Sequence, residues 1–306
     1  MNFPTDNEKL AEVNGITLCY ESFGDPKHPA MLLIMGLATQ MIHWDERFCQ
    51  KLADRGFWVI RFDNRDIGNS SKISHAKVPS LPSVFANQLF GRRLKVPYHL
   101  ENMAEDALAL LDFLNIDQCH VTGVSMGGMI AQCMAIIAPH RLLSLTSIMS
   151  TTGDPKLPKP KKSVVLKVMQ PPPKEEQAYI QYALGLWKLL HQNHFEFDHQ
   201  KVRSLLLKAK QRSYDPAGIW RQTCAILAAE DRTQKLTQLT MPCLVIHGDA
   251  DPLVPVECGI ATANAIPNAT LKIFTGMGHT LPEPLWDEMI EQMVTNSLSG
   301  RSSNLI

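Results

Sequence analysis

The stretch Cys119–Val124 is a short apolar run of β type, and it passes without a spacer into Ser125. Met126–Ala138 follows at once, apolar on nearly every face, as a buried helix would be. A strand that turns into a helix at one residue crowds its own backbone, so the neighbours must be small. Gly123, Gly127 and Gly128 stand there, within the sole G-x-S-x-G of the chain. A glycine-rich turn before a buried helix could carry the same letters without any chemistry. In this strand–helix setting, though, the serine hydroxyl is presented at the carboxyl end of a sheet, beside the positive end of a helix.

The first half of the chain arranges itself around that turn. Ile16–Glu21 and Ala30–Met35 read as strands, the second a continuous apolar run and so buried on both faces. Trp44–Arg55 has Trp44, Phe48, Leu52 and Ala53 at helical spacing and stops at Gly56. Phe57–Phe62 is the next strand, Asp63–Ser71 is turn-rich, Glu101–Leu114 is an amphipathic helix and Leu142–Met149 is a further strand. Strands alternating with helices at this rhythm imply a parallel sheet covered on both faces. The rhythm breaks at Thr152. Asp154–Lys162 is a proline–lysine stretch, read as a stiff, solvated connector, and Glu175–Leu190 and Phe197–Arg212 are among two or three helices that follow. Strands resume at Pro242–His247 and Ala269–Phe274, before a last helix over Leu285–Leu298. The predicted division is a first core segment 1–151, a helical insertion 152–235 and a second core segment 236–306.

A serine hydroxyl is a poor nucleophile until a base takes its proton. His279 lies in Gly276-Met277-Gly278-His279, just past the strand Ala269–Phe274, where a loop could aim it at the serine. His120 and His247, in or at the end of strands, read as packed core imidazoles. His191, His194 and His199 lie near Glu196 and Asp198, but their spacing fits no metal motif and reads as a solvated polar face. The histidine needs a carboxylate to fix its tautomer. Strand Pro242–His247 runs into Gly248-Asp249-Ala250-Asp251-Pro252, which offers two. Asp251, before a proline, is the better candidate, and Asp249 is expected to bond turn amides. An oxyanion needs two amide donors, expected at the backbone N–H of Met126 and at Leu37, in the glycine-containing loop after Ala30–Met35.

Assembled, these residues resemble the α/β-hydrolase superfamily over nearly the full chain. The resemblance implies a mostly parallel, doubly wound sheet with a helical cap inserted after the sixth strand, and a triad in the order Ser125, Asp251, His279. Asp63-Asn64-Arg65-Asp66-Ile67-Gly68-Asn69-Ser70 resembles the D-x-R-x-x-G-x-S turn of capped members, in which Arg65 would brace neighbouring loops. With Leu33-Ile34-Met35-Gly36 and Val124-Ser125-Met126-Gly127 the chain resembles most closely the aclacinomycin methylesterase group. Met35 departs from the histidine that many relatives carry before the oxyanion-loop glycine. A serine at 125 disfavours the dehalogenase and epoxide-hydrolase branches, which need a carboxylate there. Esterase, lactonase, carbon–carbon hydrolase and perhydrolase activities share the triad, and a non-enzymatic ligand receptor can share the fold.

Charge narrows the partners. Thirty basic and thirty acidic residues cancel, so neither nucleic acid nor an anionic surface is favoured by net charge, and a small-molecule ester is the expected substrate. Seven scattered cysteines without a C-x-x-C pair read as buried apolar fillers. The start of the chain lacks the pattern of a secretory signal and no run is long enough to span a bilayer, so a cytoplasmic enzyme with no cofactor and no metal is expected. The long connection 72–97 holds an amphipathic stretch with Phe85 and Phe90, and the insertion holds Leu184, Trp187 and Trp220. All five are candidates to line an apolar pocket, although the aromatics of the insertion would serve equally as its own small core.

Overall fold

The computed structural model describes residues 7–75, 78–80, 83, 94–170 and 172–299. Eight strands form one sheet: β1 (Lys9–Val13), β2 (Ile16–Phe23), β3 (Ala30–Ile34), β4 (Trp58–Phe62), β5 (Cys119–Val124), β6 (Leu142–Ile148), β7 (Cys243–Gly248) and β8 (Thr270–Phe274). Their spatial order is β1-β2-β4-β3-β5-β6-β7-β8. The pairs β1/β2 and β2/β4 are antiparallel and the others parallel, which is the mostly parallel sheet expected. β1 gives no apolar run in the sequence, because Lys9 and Glu12 are polar. Only Ala11 and Val13 point inward, as the alternation of an edge strand requires. Its signal was the Asn14-Gly15 pair, whose positive φ angles of 51° and 75° close a two-residue hairpin with Val13 opposite Ile16.

Ten helices were resolved among the described residues: α1 (Glu46–Ala53), α2 (Leu100–Phe113), α3 (Met126–Ile137), α4 (Lys162–Met169), α5 (Glu176–His191), α6 (His199–Arg212), α7 (Pro216–Leu227), α8 (Thr233–Leu236), α9 (Val256–Ala265) and α10 (Trp286–Ser299). Alternate residues of β3 feed opposite layers. Leu32 and Ile34 pack with Met103 and Leu110 of α2 and Ile130 and Met134 of α3. Met31 and Leu33 pack with Phe48 and Leu52 of α1 and Met289 and Met293 of α10. The sheet is thus wound on both faces. All seven cysteines are buried free thiols, and burial pushes the Cys119 thiol up to about 12.

Between β6 and β7 the chain is helical from α4 to α8, with more pieces than the two or three helices expected. It is tied to the sheet by buried charge. Arg212, at the end of α6, reaches Glu8 at 2.8 Å and Asp63 at 2.9 Å, and Arg221 in α7 grips Asp66 at 2.7 Å. These arginines reach the turn 63–70, and Arg65 from the same turn pairs with Asp106 of α2 at 2.5 Å, the bracing role expected of it.

Candidate active site

Ser125 stands at the junction of β5 and α3 with φ 56° and ψ −119°. A residue with a side chain keeps such a backbone only where its surroundings enforce it. Here the Ser125 N–H donates to the Ile148 carbonyl at 2.9 Å, and its own carbonyl accepts from the Gly128 N–H at 2.9 Å and the Ser150 hydroxyl at 2.8 Å. Gly127 is required by space, since a Cβ there would lie 2.2 Å from the Ile34 carbonyl oxygen.

Three loops at the carboxyl ends of β5, β7 and β8 converge on this point. His279 Nε2 is 2.9 Å from Ser125 Oγ, and His279 Nδ1 is 2.6 Å from Asp251 Oδ2. The other Asp251 oxygen accepts the N–H groups of Leu253 and Val254 at 2.8 and 2.9 Å, which fixes the carboxylate toward the imidazole. Asp249 is turned elsewhere, accepting the Gly276 N–H at 2.7 Å. The structure therefore brings Ser125, His279 and Asp251 into one hydrogen-bonded line and leaves Asp249 outside it.

The loop after β3 passes directly over the serine. A Cβ on Gly36 would meet Ser125 Cβ at 3.2 Å. Met35, where many relatives have histidine, is held through its backbone: the Asn64 side-chain amide donates to its carbonyl at 3.0 Å. Gln222 of α7 accepts the Ala38 N–H at 3.2 Å and donates to the Arg65 carbonyl at 2.9 Å, bracing the loop from the insertion side. Among the described residues neither the Leu37 nor the Met126 N–H has an acceptor.

Ser125 and His279 open onto a cavity of about 1200 Å³ lined in large part by apolar side chains, Leu37, Met149, Leu186, Leu190, Phe197 and Leu205 among them. Trp187 lines it, stacked on His43 with ring centroids 5.4 Å apart. Leu184 does not line it. It packs with Ile180 and Leu206 in the insertion's own small core, against which Trp187 is also packed. Trp220 also lies outside the lining, and its indole N–H donates to the Pro79 carbonyl at 2.9 Å. Phe85 and Phe90 lie outside the described residues.

Two histidines carry more than their sequence settings suggested. His191 is buried rather than part of a solvated face. Its Nδ1 lies 2.8 Å from the Thr280 hydroxyl and its Nε2 3.1 Å from the Glu196 carbonyl. Together with the Leu190 carbonyl, which accepts the His279 N–H at 2.7 Å, it clamps the loop that bears His279 to the end of α5. The partners are 89 residues apart, so no local pattern announces the contact. His43 borders the cavity with its Nδ1 3.1 Å from the Gln40 carbonyl, and burial brings its pKa down to about 4, leaving a neutral ring in the wall. Among the described residues no group of three or more His, Cys, Asp or Glu side chains is disposed to hold a metal.

The sequence profile of the α/β-hydrolase fold matches residues 29–283, most of the chain. The chain belongs to the α/β-hydrolase fold family. Within that family it is 30% identical over 295 residues to rhodomycin D methylesterase of Streptomyces peucetius, covering 88% of this chain and 92% of the relative. It is 27% identical over 251 residues to 3-oxoadipate enol-lactonase 1 of Acinetobacter baylyi, covering 80% of each. Among solved structures, the enol-lactonase of Burkholderia xenovorans superposes with a TM-score of 0.70 at 19% identity, covering 94% of this chain and 99% of that one. The resemblance to the aclacinomycin methylesterase group thus agrees with the relatives found, and the fold with the α/β-hydrolase architecture.

Proposed function

We propose that this α/β hydrolase is a serine esterase that cleaves carboxylic esters of largely apolar small molecules through an acyl-enzyme. The observation that carries the reading is the line Ser125–His279–Asp251 opening onto an apolar cavity. His279 Nε2 takes the Ser125 proton as Oγ attacks the ester carbonyl, and Asp251 supports the imidazolium that forms. The carbonyl oxygen becomes an oxyanion facing the Leu37 and Met126 N–H groups, where two fixed donors lower the barrier without reorganising. The intermediate collapses, the C–O bond to the alcohol breaks, and His279 returns its proton to the leaving oxygen. Water, deprotonated by the same histidine, then attacks the acyl-enzyme, releasing the acid and restoring Ser125.

The helices of 152–235 act in this reading as a cap that shapes the pocket through Trp187, Leu186 and Leu190. Similarity to rhodomycin D methylesterase favours a methyl ester, and the cavity has room for a bulky acid. The test is hydrolysis across p-nitrophenyl esters of increasing acyl bulk, with a lactone and a methyl ester of an aromatic acid included. The expected result is ester turnover that vanishes in Ser125→Ala. Turnover of none of these substrates by the wild type would overturn the proposal.

A further inference from the structure

The charge of this chain is neutral in sum but uneven in place. Residues 155–174 hold six lysines, Lys156, Lys159, Lys161, Lys162, Lys167 and Lys174, and no aspartate or glutamate. Among the described residues none of these six ammonium groups pairs with a carboxylate. The same segment contains α4, whose eight residues include three exposed large apolar side chains, Val165, Leu166 and Val168. Leu166 is 67% exposed, more than any other large apolar side chain among the described residues. Val164 is fully buried and the Lys161 N–H donates to the Pro252 carbonyl at 2.8 Å, so α4 is anchored to the protein by one side and presents the other outward. Val168 and Pro172 also line the cavity, so this segment borders it.

Exposed aliphatic residues flanked by lysines without carboxylate partners match the chemistry of a phospholipid surface: the aliphatic groups enter the acyl boundary while the ammonium groups meet anionic headgroups. We propose that α4 and the lysine segment before it dock this protein peripherally on an anionic bilayer, with this border of the cavity against the lipid. No crossing of the membrane is involved, and no helix among the described residues is long and apolar enough for one. Apolar esters dissolved in lipid then reach Ser125 without passing through water, a consequence that rests on the esterase reading. The docking itself does not.

The experiment is co-sedimentation with vesicles of phosphatidylcholine alone or with roughly one-third phosphatidylserine. Wild type is expected to bind the anionic vesicles about tenfold more tightly than the neutral ones, and less tightly as salt is raised. Leu166→Asp, and separately the combined change of Lys156, Lys159, Lys161 and Lys162 to Gln, should each weaken that binding about tenfold. None of these residues lines the cavity, and circular dichroism with the thermal midpoint reports the integrity of each variant, so if one is damaged the other decides. Absence of an anionic preference, variants that bind like wild type, or binding to polyglutamate but not to vesicles would overturn the proposal. Because sedimentation needs no turnover, its outcome is independent of whether the protein is an esterase.

Discussion

At the residue scale, activity depends on the side chains that touch the serine. Ser125→Ala and His279→Ala are each expected to lower kcat by several orders of magnitude, because nucleophile and base act as a unit. Circular dichroism should be unchanged in both. Asp251→Asn is expected to cost far more activity than Asp249→Asn, since only Asp251 holds His279 Nδ1, while Asp249 holds the Gly276 amide. The reverse ranking in kcat/KM would move the acid to 249. These positions were legible in the sequence because each lies in the turn or loop that follows a strand, and a parallel sheet brings the carboxyl ends of its strands together. Gly127→Ala should lower stability by about 1–3 kcal/mol or more, read as a shift of the thermal midpoint, because backbone rather than a flexible side chain occupies the space its methyl would need.

At the scale of elements, α5 serves the small core, the cavity wall and, at its end, the loop that bears His279. Trp187→Ala should raise KM for bulky aromatic esters several-fold while sparing acetate esters, because it removes cavity wall. Leu184→Ala should instead cost about 2–5 kcal/mol of stability with little change in the ratio of the two substrates, because it opens the small core. Sequence spacing could not separate the two, since apolar residues three apart share one side of a helix, and only the packing of α6 decides which of them reaches the cavity. The end of α5 acts through another residue. His191→Phe fills the space but loses the Thr280 contact, so it should lower kcat more than it raises KM, with Thr280→Ser retaining most activity. Equal loss in both parameters would indicate disturbed binding rather than a displaced His279. Such long-range contacts, like the hairpin that adds β1, depend on elements meeting in space, which is why apolar periodicity alone did not disclose them.

For the whole molecule, the insertion and the sheet are one electrostatic structure. Removing Arg212 would strand Asp63 and Glu8, and a loss of about 3–5 kcal/mol is expected for Arg212→Ala in denaturant titration. Acid should act on the buried imidazoles. Burial lowers the pKa of His43 to about 4 and lowers those of His191 and His247, so the unfolded chain takes up these protons more readily than the folded one. Their contribution to stability is therefore complete above the ordinary value of 6.5 and falls as pH drops toward about 4. Thermal midpoints should decline over that interval, and less steeply in His43→Phe. The overall α/β alternation was readable from the sequence, whereas this coupling was not, because ion partners such as Arg212 and Glu8 lie 204 residues apart.

The central claim, that Ser125 is a nucleophile activated by His279, is tested most directly by reaction with an active-site phosphonate followed by peptide mass mapping. One adduct per chain is expected, on Ser125, formed far more slowly in His279→Ala and not at all in Ser125→Ala. An adduct on another residue, or labelling of the wild type no faster than that of His279→Ala, would contradict it.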